Sequence, residues 1–183
     1  MNEIADINIL ENVNFKELKE LNLSSNKISD IGVLEKVEFE KLEKLDLSDG
    51  EISDINILEN VNFKELKKLY LYENKISDIK VLEKVKFEKL QIIALGENNI
   101  SNIDILEKVN FKELKELYSS NNKISDIKVL EKVKFEKLEK LDLSWNKIAD
   151  INILENVNFK KLKELYLLNN KISDIKVLEK VNC

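Results

Sequence analysis

The chain spells one 24-residue pattern seven times in succession. Leu18, Leu42, Leu66, Leu90, Leu114, Leu138 and Leu162 each open a copy of L-x-x-L-x-L-x-x-N-x-I-x-x-I-x-V/I-L-x-x-V-x-F-x-x, and no linker separates the copies. A partial copy over residues 1–17 precedes them, with Ile4, Ile7, Leu10, Val13 and Phe15 in its later slots. The seventh copy is incomplete and reaches Cys183 in the slot that elsewhere holds phenylalanine. A unit this short cannot bury its own leucines. Only stacking on neighbours removes them from water, so the repeat predicts one domain over residues 1–183, held together by contacts between successive coils. A 48-residue period lies on top: odd copies tend to read "KVLEKVKFEK" and even copies "NILENVNFKE".

Within one copy, "LKELNL" places Leu21 and Leu23 two apart, the alternation of a short strand with its leucines turned inward. Strands at a fixed spacing can lie side by side in a parallel sheet, each followed by a crossover. Ile31, Leu34 and Val37 fall three apart, which suits one or two helical turns or a tighter 3₁₀ segment, with Asp30 placed to cap it. Asn26 recurs as Asn74, Asn98, Asn122, Asn146 and Asn170. A buried amide at that point needs backbone partners in adjacent coils. The second copy has Gly50 instead, after Asp49, and a local weak point is expected there.

Composition narrows the function. The chain is acidic overall, at −5, and every cation is lysine. Without arginine it lacks the usual reader of phosphate and guanine, so no nucleic-acid partner is expected. No apolar run is long enough to span a bilayer, and the N-terminus lacks the features of a signal peptide; these point to a soluble chain with no membrane partner. Histidine is absent and Cys183 is the single cysteine. Nucleophile–histidine pairs, zinc spacing and a Gly-rich phosphate loop are all missing, so the expectation is a non-enzyme without cofactor or metal. The recurring Asp6, Asp30, Asp54, Asp78, Asp126, Asp150 and Asp174 read as caps rather than as a calcium ladder, because one carboxylate per coil does not converge on an ion.

The L-x-x-L-x-L-x-x-N-x-I signature, seven times in phase over nearly the whole chain, resembles the leucine-rich-repeat superfamily. The I-x-x-I-x-x-L continuation at Ile28, Ile31 and Leu34 is similar to the internalin and phosphatase-1-regulator subclass. Phe39, three residues before the next leucine, is similar to the 24-residue typical subclass, so the pattern is a hybrid. The resemblance implies an α/β, right-handed solenoid or horseshoe, with a parallel sheet on the concave face and short helical or 3₁₀ segments on the convex face. It also implies that ligands meet the concave face. Family members carry capping structures at both ends, which are not evident here. Open ends would expose apolar edge, so the expectation is a fragment of a longer array or an end-to-end homo-oligomer. The absence of cysteine caps points to a cytoplasmic protein.

Comparing copies shows which slots packing leaves free. Between the inward leucines stand Asn22, Asp46, Tyr70, Ala94, Tyr118, Asp142 and Tyr166. The next outward slot holds Ser24, Ser48, Tyr72, Gly96, Ser120, Ser144 and Leu168, and the one after it Ser25, Asp49, Glu73, Glu97, Asn121, Trp145 and Asn169. Ile92 replaces a lysine or glutamate. Ile92, Ala94 and Gly96, flanked by Tyr70, Tyr72 and Tyr118, predict a dip with aromatic walls; Trp145 and Tyr166 extend the apolar content. Asp46, Asp49, Glu73, Glu97 and Asp142 would favour a basic partner. Aromatic residues on a rigid face act as binding anchors; equally, tyrosines can pack on each other simply to cover a sheet. Ser119 occupies a slot that is leucine in the other copies, and either leaves a cavity in the core or marks a shifted strand. Three functions fit: recognition of a protein or peptide on the concave face, a structural array self-associating through its ends, or an engineered consensus scaffold.

Overall fold

The computed structural model describes residues 2–180. Seven three-residue strands, β1 (Glu20–Asn22), β2 (Lys44–Asp46), β3 (Lys68–Tyr70), β4 (Ile92–Ala94), β5 (Glu116–Tyr118), β6 (Lys140–Asp142) and β7 (Glu164–Tyr166), form one parallel sheet in chain order. The register is the sequence period itself: Leu21 lies beside Leu45, Leu45 beside Leu69, and Leu141 beside Leu165. Leu45, Leu69, Ile93, Leu117 and Leu141 are buried at the strand centres, because alternation turns every second side chain away from the outer face. Each strand is followed by a crossover containing a 3₁₀ segment, as in Gly32–Glu35 and Lys80–Glu83. The result is a right-handed solenoid with the sheet on its concave face and the 3₁₀ segments on its convex face.

The crossover is 3₁₀ because side chains three apart then eclipse on one edge. Ile31, Leu34 and Val37 all point into the core. Asp30 caps this turn from one residue further out than a standard N-cap: its Oδ1 accepts from the Gly32 N–H at 2.8 Å, while Ile31 is the boundary residue and has no side-chain bond. The same bond recurs from Asp54, Asp78, Asn102, Asp126, Asp150 and Asp174. Phenylalanines close the first six coils and the partial one, and Phe15, Phe39 and Phe63 stack at centroid separations of 6.4 and 6.5 Å.

The asparagine ladder ties coil to coil. Asn74 Oδ1 accepts from Ile52 N–H in the preceding coil at 3.0 Å, and its Nδ2 donates to Leu47 O there at 2.9 Å and to Leu71 O in its own coil. Asn98, Asn122, Asn146 and Asn170 repeat the scheme. At Gly50 the ladder is broken: the buried Ile28 N–H meets no acceptor among the described residues. Ser119 faces the core at 3% exposure, and its strand does not shift, since Ser119 N still donates to Asp142 O at 2.8 Å.

The 48-residue period has a physical basis in charge. Among the described residues, nearly all ion pairs between coils join an even copy, or the partial first one, to the odd copy that follows. Examples are Lys41 with Glu17, Lys89 with Glu65, Lys137 with Glu113 and Lys163 with Glu139. The exceptions are Lys44 with Glu20 and Lys108 with Glu83. At the two ends of the described sheet the leucines are less covered: Leu18, Leu21 and Leu23, like Leu162, Leu165 and Leu167, are half-buried, whereas the strand leucines between them are buried.

Candidate recognition surface

The outer face of the sheet carries three rows of side chains, set by strand alternation and by the 24-residue register. The middle row runs through Asp46, Tyr70, Ala94, Tyr118, Asp142 and Tyr166. A row two residues earlier, Glu20, Lys44, Lys68, Ile92, Glu116, Lys140 and Glu164, shares the face. Of that row the sequence reading singled out only Ile92. Its signal was present, since each of these residues stands two before a tyrosine or its equivalent. Along the strands' C-terminal edge follow Tyr72, Gly96 and Leu168.

Ser25, Asp49, Glu73, Glu97, Asn121, Trp145 and Asn169 are not strand residues. Each adopts a left-handed backbone, with φ between 50° and 57°, and turns the chain out of the sheet. They line the rim of the face rather than its floor. Hydrogen bonds pin them to the next coil, as from Asp49 N to Tyr72 O at 2.8 Å and from Trp145 N to Leu168 O at 2.7 Å. Left-handed geometry costs most residues roughly 1–2 kcal/mol and asparagine least. Trp145 and the two glutamates are therefore held there by the architecture, against their own preference.

The centre of the face is filled by tyrosine rings. Ala94 lies in register between Tyr70 and Tyr118 and is buried at 6% exposure. A Cβ on Gly96 would stand 3.0 Å from Tyr72 Cδ2 and 3.1 Å from Ser120 Oγ, so a larger residue would push the Tyr72 ring aside by a few tenths of an ångström. Gly96 thus lies against the Tyr72 ring and Ala94 is buried, so neither residue is the open floor of a dip. Tyr72 OH donates to Glu97, which pushes the phenol pKa up to about 12, with burial adding to the shift. Tyr118 is also raised to about 12, first by burial and then by donating to Glu116 Oε2 at 2.5 Å. Lys140 lies between two rings, 5.5 Å from the Tyr118 centroid and 5.1 Å from Tyr166, and pairs with Glu164 at 2.9 Å. Its hydrogen bond to Glu164 holds the ammonium pKa above the ordinary lysine value and the Glu164 carboxyl below the ordinary glutamate value. Lys44 sits 5.9 Å over the Tyr70 ring.

Toward the C-terminal end the face is apolar and open: Trp145 is 56%, Tyr166 43% and Leu168 65% exposed. Toward the N-terminal end it is acidic. Asp46, Asp49, Glu73 and Glu97 there, and Asp142 on β6 toward the other end, have no cation within 4 Å among the described residues, although Asp46 and Asp142 accept from the N–H groups of Ser48 and Ser144 and Glu97 accepts from Tyr72 OH. The convex side differs. Its groove of about 510 Å³ between Asp78–Glu83 and Asn102–Lys108 is lined by charges that already pair, Lys80 with Asp78 and Lys108 with Glu83. Among the described residues no group of three or more acidic, cysteine or histidine side chains is placed to hold a metal ion, and no helix is long and apolar enough to cross a membrane.

Comparison with known proteins agrees with this geometry. The pattern "Leucine Rich repeats (2 copies)" matches residues 16–60 and 136–180. An internalin of Listeria monocytogenes superposes with a TM-score of 0.81 at 28% identity, over 98% of this chain and 50% of that one. Internalin C2 of the same organism gives 0.81 at 27% identity, over 98% of this chain and 74% of the other. The chain thus spans half the length of the first of these structures. A plant peptide hormone receptor, RGFR1, solved in complex with RGF2, gives 0.62 at 20% identity, over 90% of this chain and 31% of the receptor, a likeness of fold alone. No curated protein matches the sequence.

Proposed function

This chain is a leucine-rich-repeat protein, and on that premise we propose that it is a non-enzymatic recognition module that holds a protein or peptide on its concave face. Leucine-rich repeats are typically protein-binding and usually non-catalytic. The observation that carries the reading is the contrast between slots: aliphatic positions repeat almost unchanged, while the sheet face gathers Tyr70, Tyr72, Tyr118, Trp145, Tyr166 and Leu168 on a rigid surface, several of them open to solvent. Rigid aromatic side chains give large contact area at low entropic cost, which is why they dominate binding energy at interfaces. The carboxylates beside them that have no cation within 4 Å favour a basic partner.

The test is alanine substitution against a partner recovered with the full chain. Tyr70→Ala and Trp145→Ala are expected each to weaken binding by about 1–4 kcal/mol, while Lys80→Ala on the convex side changes little and all three variants keep the parent far-UV circular dichroism. Undiminished affinity in both aromatic variants removes the proposal. A mass that rises with concentration under reducing conditions, unaffected by either variant, would favour self-association instead.

A further inference from the structure

We propose that the partner segment is bipartite and bound in one order, with cationic side chains over Asp49, Glu73 and Glu97 and an apolar anchor over Trp145 and Leu168. The inference rests on concave-face recognition and adds the chemistry and direction of what is recognised.

The rim makes the order readable. Asp49, Glu73, Glu97 and Trp145 share one left-handed backbone geometry, with φ of 50–56°. Each donates its N–H to the next coil, at 2.8, 3.0, 2.9 and 2.7 Å respectively. Their side chains therefore leave the backbone in the same sense at successive strand spacings. With strands about 4.8 Å apart, the three carboxylates span about 10 Å and Trp145 lies about 10 Å beyond Glu97. Leu168, 65% exposed, stands in the coil next to Trp145 and accepts its N–H.

The charges along the rim favour this placement over the reverse. Two residues beyond the rim the acidic half carries no net charge, since Glu51 pairs with Lys75 at 3.0 Å and coil four has Asn99. In the other half the same slots hold Lys123, Lys147 and Lys171, and the rim there has Asn121, Trp145 and Asn169. Along the rim a cation meets three carboxylates in coils two to four and none in coils five to seven, where Glu116, Asp142 and Glu164 lie on the strands instead. Apolar contact area is offered mainly at the second location. Charge sets where the segment lands, and burial of the Trp145–Leu168 patch holds it there.

Two synthetic peptides of identical composition test this by titration calorimetry. In one, three lysines are followed about three residues on by a tryptophan and a leucine, a separation matched to the roughly 10 Å between Glu97 and Trp145 in an extended chain. In the other, the same residues are interleaved. The block peptide is expected to bind roughly tenfold or more tightly than its isomer, and to lose that advantage with Glu73→Lys or Trp145→Ser. A chain carrying Asp49→Lys, Glu73→Lys and Glu97→Lys together is expected to prefer a peptide with glutamates in the lysine positions. These sites are at the surface, and unchanged melting temperatures confirm that the variants fold. Equal affinity of the two isomers, or no binding of either, overturns the bipartite order. If the isomers bind equally and Tyr70→Ala abolishes both, recognition on the concave face survives and only its ordering is lost.

Discussion

At the scale of single residues, the asparagine ladder is the most informative feature. From Asn74 onward each asparagine supplies an acceptor to a buried isoleucine N–H of the preceding coil, and the isoleucine has no alternative. Gly50 removes that acceptor from Ile28. Gly50→Asn is expected to raise stability by about 1–3 kcal/mol, the penalty of a buried unpaired donor, read as a higher denaturant midpoint with an unchanged slope. The new Cβ would start 2.9 Å from Asn74 Oδ1, so the neighbouring amide must give slightly. Asparagine above asparagine in coils three to seven shows that the stacking tolerates the arrangement. An unchanged or lower midpoint would mean that Ile28 is satisfied in some other way.

At the scale of elements, the question is what keeps near-identical coils in register. Hydrophobic slots alone cannot: a slip by one copy puts leucine on leucine again. Charge can, because a slip would set Glu17 against Glu65 or Lys41 against Lys89. Single exposed pairs contribute only about 0–1 kcal/mol each, so their role is discrimination summed along the array. Lys89→Glu is expected to cost about 0.5–1 kcal/mol by breaking the 2.6 Å pair with Glu65. Adding Glu65→Lys should recover most of the loss, and raised salt should shrink both effects. Lack of recovery in the double variant, followed by urea unfolding, would assign the cost to packing instead.

At the scale of the whole molecule, coils touch only their neighbours, so stability is a sum of repeat and junction terms. Some of those terms depend on pH. Tyr72 and Tyr118 hold their protons to about pH 12 in the folded chain against 10.0 as the ordinary value. Between these values the unfolded chain binds fewer protons than the folded one, and stability falls as pH rises. The contribution is fully present below pH 10 and is lost through pH 12. Lys84 and Lys140, both raised by their glutamate partners, act in the same direction. Thermal melting is therefore expected to drop steeply across that window, and Tyr72→Phe should flatten the drop. A variant with the parent's slope would place the titration elsewhere.

The sequence by itself determined the 24-residue coil, the parallel sheet, the inward leucines, the asparagine ladder and the tyrosines of the outer face. These follow from short-range spacing and from the need of each coil to bury its aliphatic side against the next. Tertiary structure alone decided the rest. Residues 25, 49 and their equivalents leave the strand for a left-handed rim. The Tyr72 ring lies against Gly96, Ala94 is buried in register between Tyr70 and Tyr118, and Lys140 lies between Tyr118 and Tyr166. Each of these depends on side chains 24 or 48 residues apart meeting across the sheet, and on the rotamers left once neighbours are in place. A linear pattern puts residues on a face; only packing decides which of them touch.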